Sequence, residues 1–399
     1  MKPAPYTLRE LFFKHIAQTS PSPLAIEIEK AEGVFLYTPS GEKIVDLVSG
    51  VCVSNTGHGN REVINSVVSQ IEKHMHLMVY GEIIQSPQVE HAALLTSMLD
   101  SSLNTIYYVN SGSEANEAAL KLAKRVTGRR ELIAFNRGYH GSTHGALSMM
   151  GDESFKYSFR PLLPAIRHIR FNSFEDLALI TEESAAVLVE PVMAEAGVIS
   201  PVEGYLKTLR ERCTKTGTLL IFDEVQTGFG RTGSLFAHQK YGVVPDIMTL
   251  AKALGGGMPL GAVVSSGELM RSFISSPVLG HITTFGGHPV CCASALASLK
   301  YILKERLVER VNEKSDRFVN ALKNHPLVKE IRAEGLLIAI DLKREDYTKK
   351  ILPLLLEEGV MSDWFLFNST SFRIAPPLTI TLEEIDYAVE KIIRTLNKL

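Results

Sequence analysis

The chain is poor in cysteine and tryptophan, with four of the first and one of the second. Cys52, Cys213, Cys291 and Cys292 show no C-x-x-C spacing and lie in apolar segments, so buried free thiols are expected rather than a disulfide framework or a metal site. Neither sign of charge dominates: 42 basic residues face 44 acidic ones, with no basic run of the kind that tracks phosphates. That balance argues against a nucleic-acid partner. No apolar stretch approaches the roughly 20 residues that cross a bilayer. The opening MKPAPYTLRELFF also lacks the clean apolar centre of a signal peptide, so a cytoplasmic location without membrane attachment is expected. H-E-x-x-H, Walker-type and G-x-S-x-G signatures are missing as well.

At 399 residues and 45% hydrophobic content, the chain is long enough for at least two packed units. Short runs rich in β-branched and aromatic residues recur through its middle: 105–109, 132–135, 185–190, 218–222, 247–250 and 261–264. They alternate with helical patterns, which predicts an α/β fold whose mostly parallel sheet is covered on both faces and binds ligands at the carboxyl ends of its strands. Ser111 and Glu114 form a capping-box pattern opening a helix directly after the first of these runs, and Thr381 and Glu384 repeat it near the C-terminus. Beyond about residue 290, long amphipathic helices interrupted by the strand-like EIRAEGLLIAIDL indicate a smaller α+β unit. The expected organisation is a segment 1–55 packing on that small domain, a large domain 56–290 and the small domain 291–399.

The stretch LIFDEVQTGFGRTG sets Gly228, Gly230 and Gly233 in the G-x-G-x-x-G spacing of a dinucleotide site. Asp223 and Glu224 come first, however, and two carboxylates repel the pyrophosphate such glycines hold. An aspartate at the end of a buried strand needs a cation or several donors. Lys252, 29 residues later in IMTLAKALGGG, also follows a strand pattern, so both side chains face one crevice. A buried lysine beside small residues suits imine formation, because dehydration lowers its pKa and glycines admit a flat group. Pyridoxal 5'-phosphate needs such a lysine, a carboxylate for its ring nitrogen and an anion cradle. Lys252, Asp223 and the helix start at Gly112 and Ser113 supply one each.

These residues lie in motifs that resemble the class-III pyridoxal-phosphate aminotransferases of fold type I: VNSGSEANEAALKLA, FNRGYHG, VEPVMAEAG, LIFDEVQTGFGRTG, LAKALGGGMPLGA, TTFGG and RIAPPL, in the family's order over about residues 33–385. The resemblance implies a large domain built on a seven-stranded sheet plus a smaller α+β domain. It assigns Lys252 to the Schiff base and proton transfer and Asp223 to the pyridinium nitrogen. Val225 and Tyr139 fall on the two ring faces, with His140 beside them, and Gln226 near the phenolic oxygen. Gly112 and Ser113 take the phosphate, Glu190 the pocket wall, and Thr284 the phosphate of the neighbouring subunit, which implies a homodimer with shared sites. Arg373 corresponds to the residue that grips the α-carboxylate of glutamate or 2-oxoglutarate, and Glu195 to its gate.

The match departs at Ser142. Members acting on ornithine, acetylornithine or 4-aminobutyrate typically carry arginine there, directly after His-Gly, so another donor, or another grip such as Arg137, is expected. Val51 replaces a tyrosine of the ornithine enzymes and points to an open pocket. The resulting expectation is transfer of an amino group from an ω-amino acid or amine to a 2-oxo acid by a ping-pong route, without a metal. An aminomutase or racemase would share Lys252 and Asp223, and a non-catalytic binding protein could share the fold.

Overall fold

The computed structural model describes residues 6–399. Three N-terminal strands, β1 (Lys30–Glu32), β2 (Phe35–Tyr37) and β3 (Lys43–Asp46), form an antiparallel meander after the helix Leu8–His15. Seven strands follow: β4 (Thr105–Val109), β5 (Glu131–Phe135), β6 (Ile166–Ile169), β7 (Ser184–Val189), β8 (Leu219–Asp223), β9 (Ile247–Leu250) and β10 (Gly261–Ser265). They make one sheet in the order β4-β10-β9-β8-β7-β5-β6, parallel except for β10, which runs antiparallel to both neighbours. The last third adds β11 (Val328–Glu334), β12 (Leu337–Leu342), β13 (Val360–Met361), β14 (Trp364–Phe365) and β15 (Asn368–Ile374). Of these, β11-β12-β15-β14 form a second sheet, while β13 joins β3 in parallel and completes the N-terminal sheet.

Burial explains the large sheet. Every residue of β7, β9 and β10 is buried, as expected of strands covered on both faces. The helix Gly112–Thr127 lays Ala115, Ala118, Ala119 and Leu122 on one face, and the helix Tyr205–Thr216 lays Leu206, Leu209 and Cys213 on the other. The strand at Ile166–Ile169 escapes the sequence reading because Arg167 and His168 interrupt its apolar run; it is an edge strand, where one side needs no apolar cover. EIRAEGLLIAIDL, read as one run, is two antiparallel strands turning at Gly335. The expected boundary at residue 291 falls inside the helix Pro289–Lys304, which packs on the helices Arg61–Lys73 and Ser86–Ser97.

The glycines after Asp223 serve a junction. Their loop carries Arg231, fully buried, which donates to Leu336 O at 2.9 Å, Pro376 O at 2.6 Å and Asn55 Oδ1 at 2.5 Å. Gly233 has φ 87°, and a Cβ there would stand 2.4 Å from Asn312 Oδ1. The loop therefore ties the large sheet to the last third of the chain through one guanidinium and close backbone contact. Glu224 caps the short helix Ala237–Tyr241, accepting from Ala237 N at 2.6 Å and His238 N at 2.8 Å. Neither feature leaves room for a pyrophosphate.

Candidate active site

The parallel strands, together with β4, end on one edge of the sheet, and the chemistry collects there. Asp223 closes β8, Glu190 follows β7, Tyr139 and His140 follow β5, and Lys252 lies two residues past β9. They line a cavity of about 490 Å³ with Gly112, Ser113, Val225 and Gln226, a size usual for small-molecule sites. A larger cavity of about 1470 Å³ opens between residues 20–26 and the segment around Trp364 and Phe367, but it lies away from Asp223, Glu190 and Lys252 at the carboxyl ends of the large sheet. Chemistry, rather than volume, selects the smaller one.

Asp223 is buried and fully engaged on one side. Its Oδ2 accepts from Asn116 Nδ2 and His140 Nδ1, each at 2.8 Å, and its Oδ1 from Val225 N at 3.1 Å. Asn116 is itself fixed, donating to His140 O at 2.8 Å and accepting from Thr249 Oγ1 at 2.8 Å. These donors stabilise the anion and hold its plane. Glu190 differs: burial pushes its carboxyl up to about 7, opposed by His140 and by the N–H groups of Tyr139 and Ala194, at 2.9 and 3.2 Å, and reinforced by Asp223.

Lys252 is half-buried and lines this cavity. Its Nζ donates to Gln226 Oε1 at 2.7 Å and lies within ion-pair distance of no carboxylate among the described residues. Dehydration lowers its pKa, partly offset by Cys52, Glu195 and Asp223. Four successive residues of positive φ, Ser49, Gly50, Val51 and Cys52, bring Cys52 Sγ to 3.9 Å from Gln226 Nε2. That left-handed turn makes Val53 a wall of the cavity; Val51 is not one.

At the opposite end, Ser111 caps the helix Gly112–Thr127 by accepting from Glu114 N at 3.2 Å. The Glu114 carboxylate completes no box with Ser111; it accepts from Asn110 N at 2.7 Å. No hydrogen bond among the described residues uses the N–H of Gly112 or Ser113, which leaves an anion cradle at a helix start. A Cβ on Gly112 would come 3.0 Å from Val225 Cγ1, so a larger residue here would press the Val225 side chain aside. A flat, anionic, aldehyde-bearing group fits these residues: amine, carboxylate and cradle stand around one cavity.

Arg373 and Glu195 pair nearby, both buried, with Nη2 at 2.8 and 2.9 Å from the two Glu195 oxygens. Asp363, unnoticed in the sequence, brings Oδ1 to 3.2 Å from Arg373 Nε. Burial pulls the guanidinium pKa down, but Glu195 and Asp363 overcome it and the net direction is up. Thr284 is not brought to this cavity; it is exposed in the loop that leads into the helix Pro289–Lys304. Ser142 is exposed, its hydroxyl 3.5 Å from Tyr139 Oη, and Arg137 is turned to Ala196 O at 2.5 Å.

The sequence model of the family described as Aminotransferase class-III matches residues 16–396. This chain belongs to the class-III aminotransferases. The acetylornithine aminotransferase of Clostridium acetobutylicum is 38% identical over 378 residues, 91% of this chain and 94% of that one. Among solved structures, a transaminase from the marine bacterium Virgibacillus superposes with a TM-score of 0.91 at 29% identity, covering 98% of both chains. The ornithine aminotransferase of Toxoplasma gondii, seen with partial occupancy of PLP at its active site, gives 0.88 at 30% identity, covering 98% of this chain and 94% of that one. The fold is therefore fold type I, the chain is an enzyme, and its cofactor is pyridoxal 5'-phosphate. No helix among the described residues is long and apolar enough to cross a membrane.

Proposed function

We propose that this aminotransferase takes an amino group from an ω-amino acid or amine and delivers it to 2-oxoglutarate, the two half-reactions alternating at one site in a ping-pong sequence. The observation carrying this reading is the buried Arg373–Glu195 pair beside Lys252. Covered by Glu195, the guanidinium is neutralised and a donor without an α-carboxylate can be seated. Uncovered, it offers parallel N–H groups to the carboxylate of a 2-oxo acid.

When bound, the cofactor supplies an electron sink for the charge left on the substrate carbon. Lys252 holds and returns the proton of that carbon at Nζ, and the dehydration that lowers its pKa favours the neutral amine. Asp223, oriented by Asn116, His140 and Val225 N, keeps the ring nitrogen protonated. Of the residues lining the cavity, Val225 and Tyr139 would bound the ring faces, Gln226 would lie by the phenolic oxygen, Glu190 would close the wall, and the N–H groups at Gly112 and Ser113 would hold the phosphate. Thr284 acts in the second subunit of a homodimer. Its exposure beside the exposed Ile282 and Phe285 supports that reading, since an apolar loop of this kind gains from being covered.

Two of the named relatives are an acetylornithine and an ornithine aminotransferase, but the uncharged Ser142 and the engaged Arg137 provide no grip on a distal carboxylate at that point. The donor is therefore assigned by chemistry rather than by relatives: an amine-terminated chain. A donor panel followed by loss of the cofactor's visible band in a single half-reaction tests this, with 2-oxoglutarate and pyruvate compared as acceptors. Equal rates with both acceptors, unaffected by Arg373→Ala, would overturn the acceptor assignment. Product formed without any acceptor would instead identify an aminomutase or racemase.

A further inference from the structure

We propose that Asp363 is a specificity-determining residue: a second, fixed carboxylate on Arg373 that remains when Glu195 withdraws and weakens the hold on the incoming 2-oxo acid. The inference rests on the reading of Arg373 as the carboxylate-binding group. Arg373 carries two acids from different parts of the chain. Glu195 follows β7 and occupies Nη2, while its Oε2 also accepts from Leu366 N at 3.2 Å. Asp363 lies between β13 and β14, in line with the backbone of Arg373 itself: Arg373 N donates to Asp363 O at 2.8 Å, and Ser362 Oγ donates to Arg373 O at 2.7 Å. Glu195, on the longer side chain, is freed by a rotation. Main-chain bonds set the backbone of Asp363 beside Arg373, and with one methylene fewer its carboxylate has less room to leave.

The contact between Asp363 and Arg373 is one of charge. Although Oδ1 and Nε are 3.2 Å apart, neither atom makes an aligned hydrogen bond, and Nη1 also lacks a partner. With Glu195 withdrawn, an arriving carboxylate therefore meets a guanidinium already countered by one acid, although Nη1 is free and Nη2 keeps only its bond to Trp364 O at 3.3 Å. Two carboxylates sharing one buried guanidinium repel each other. Neutralising Asp363 removes the repulsion and leaves the donors.

The charged groups facing Asp363 are Arg373, Glu195, Lys252 and Asp46. Burial pushes its carboxyl up to about 6; Arg373 and Lys252 oppose the rise, while Glu195 and Asp46 add to it. Above about pH 6 the acid is charged and the 2-oxo acid is held less tightly; below it, the hold strengthens. In the limiting case KM for 2-oxoglutarate rises about tenfold per pH unit above that point.

The test is steady-state kinetics on cofactor-loaded enzyme at pH 5.5 and pH 8, comparing the parent with Asp363→Asn. The expected result is a KM for 2-oxoglutarate about tenfold lower in the variant at pH 8, with convergence at pH 5.5 and kcat within about twofold throughout. Asp363→Glu retains the parent's pH profile, and Asp363→Ser repeats the asparagine result if the amide disturbs folding, which the visible cofactor band reports. An unchanged or higher KM for Asp363→Asn at pH 8 overturns the proposal. Arg373→Gln separates the two readings. If it leaves KM unchanged, the carboxylate role of Arg373 falls and this proposal with it; if it raises KM while Asp363→Asn has no effect, only the role of Asp363 falls.

Discussion

Replacing Arg231 by methionine probes the junction that the glycine loop builds. Methionine is apolar and nearly as long, so it fills most of the space and admits little water. Three acceptors within 2.9 Å, Leu336 O, Pro376 O and Asn55 Oδ1, lose their donor, as does Ser49 Oγ at 3.4 Å. Each buried acceptor left unpaired costs about 1–3 kcal/mol. Against this stands the relief of no longer burying a cation that has no carboxylate partner among the described residues, a term of several kcal/mol. The net expected loss is about 3 kcal/mol. An unfolding entropy near 2.1 cal/mol/K per residue gives roughly 0.8 kcal/mol/K over 399 residues, so Tm should fall by about 4 °C. Thermal scans by circular dichroism at matched cofactor saturation measure this, and Arg231→Lys should fall between parent and methionine because an ammonium reaches fewer of the three acceptors. A methionine variant as stable as the parent, or more so, would show that dehydration of the guanidinium outweighs its bonds and that the loop is held by packing alone.

Lys252→Ala should lower turnover by at least about 10²–10⁴-fold while leaving Tm of the cofactor-free protein within about 2 °C, read by half-reaction kinetics and thermal scans. Asp223→Asn keeps the shape but turns an amide N–H toward Val225 N or toward the Asn116 and His140 donors; a rate loss of about a hundredfold or more is expected, and retention of the parent rate would remove the ring-nitrogen role. Glu190 sits at about 7, raised from an ordinary 4.5, so the folded protein binds its proton more tightly than the unfolded chain. Its contribution is therefore favourable at low pH and is lost as pH rises from about 4.5 to 7. The stability of Glu190→Gln relative to the parent should rise with pH across that window, by up to about 3 kcal/mol; a flat difference contradicts the burial argument.

The sequence alone carried whatever depends on neighbours along the chain. Apolar runs broken by turns marked six of the seven strands of the large sheet, and Ser111 and Thr381 marked helix starts, because a side-chain oxygen accepts from an N–H three residues away. Lys252 and Asp223 could be set on one edge because parallel strands end on the same side. Distances across the fold decided the rest. Asn116 meets Asp223 over 107 positions and Arg231 meets Leu336 over 105. Asp363 joins Arg373 only because β14 folds back on β15. Such contacts are set by how layers pack, and a buried charge looks the same in sequence as an exposed one. Only the packed chain shows which acids share a guanidinium.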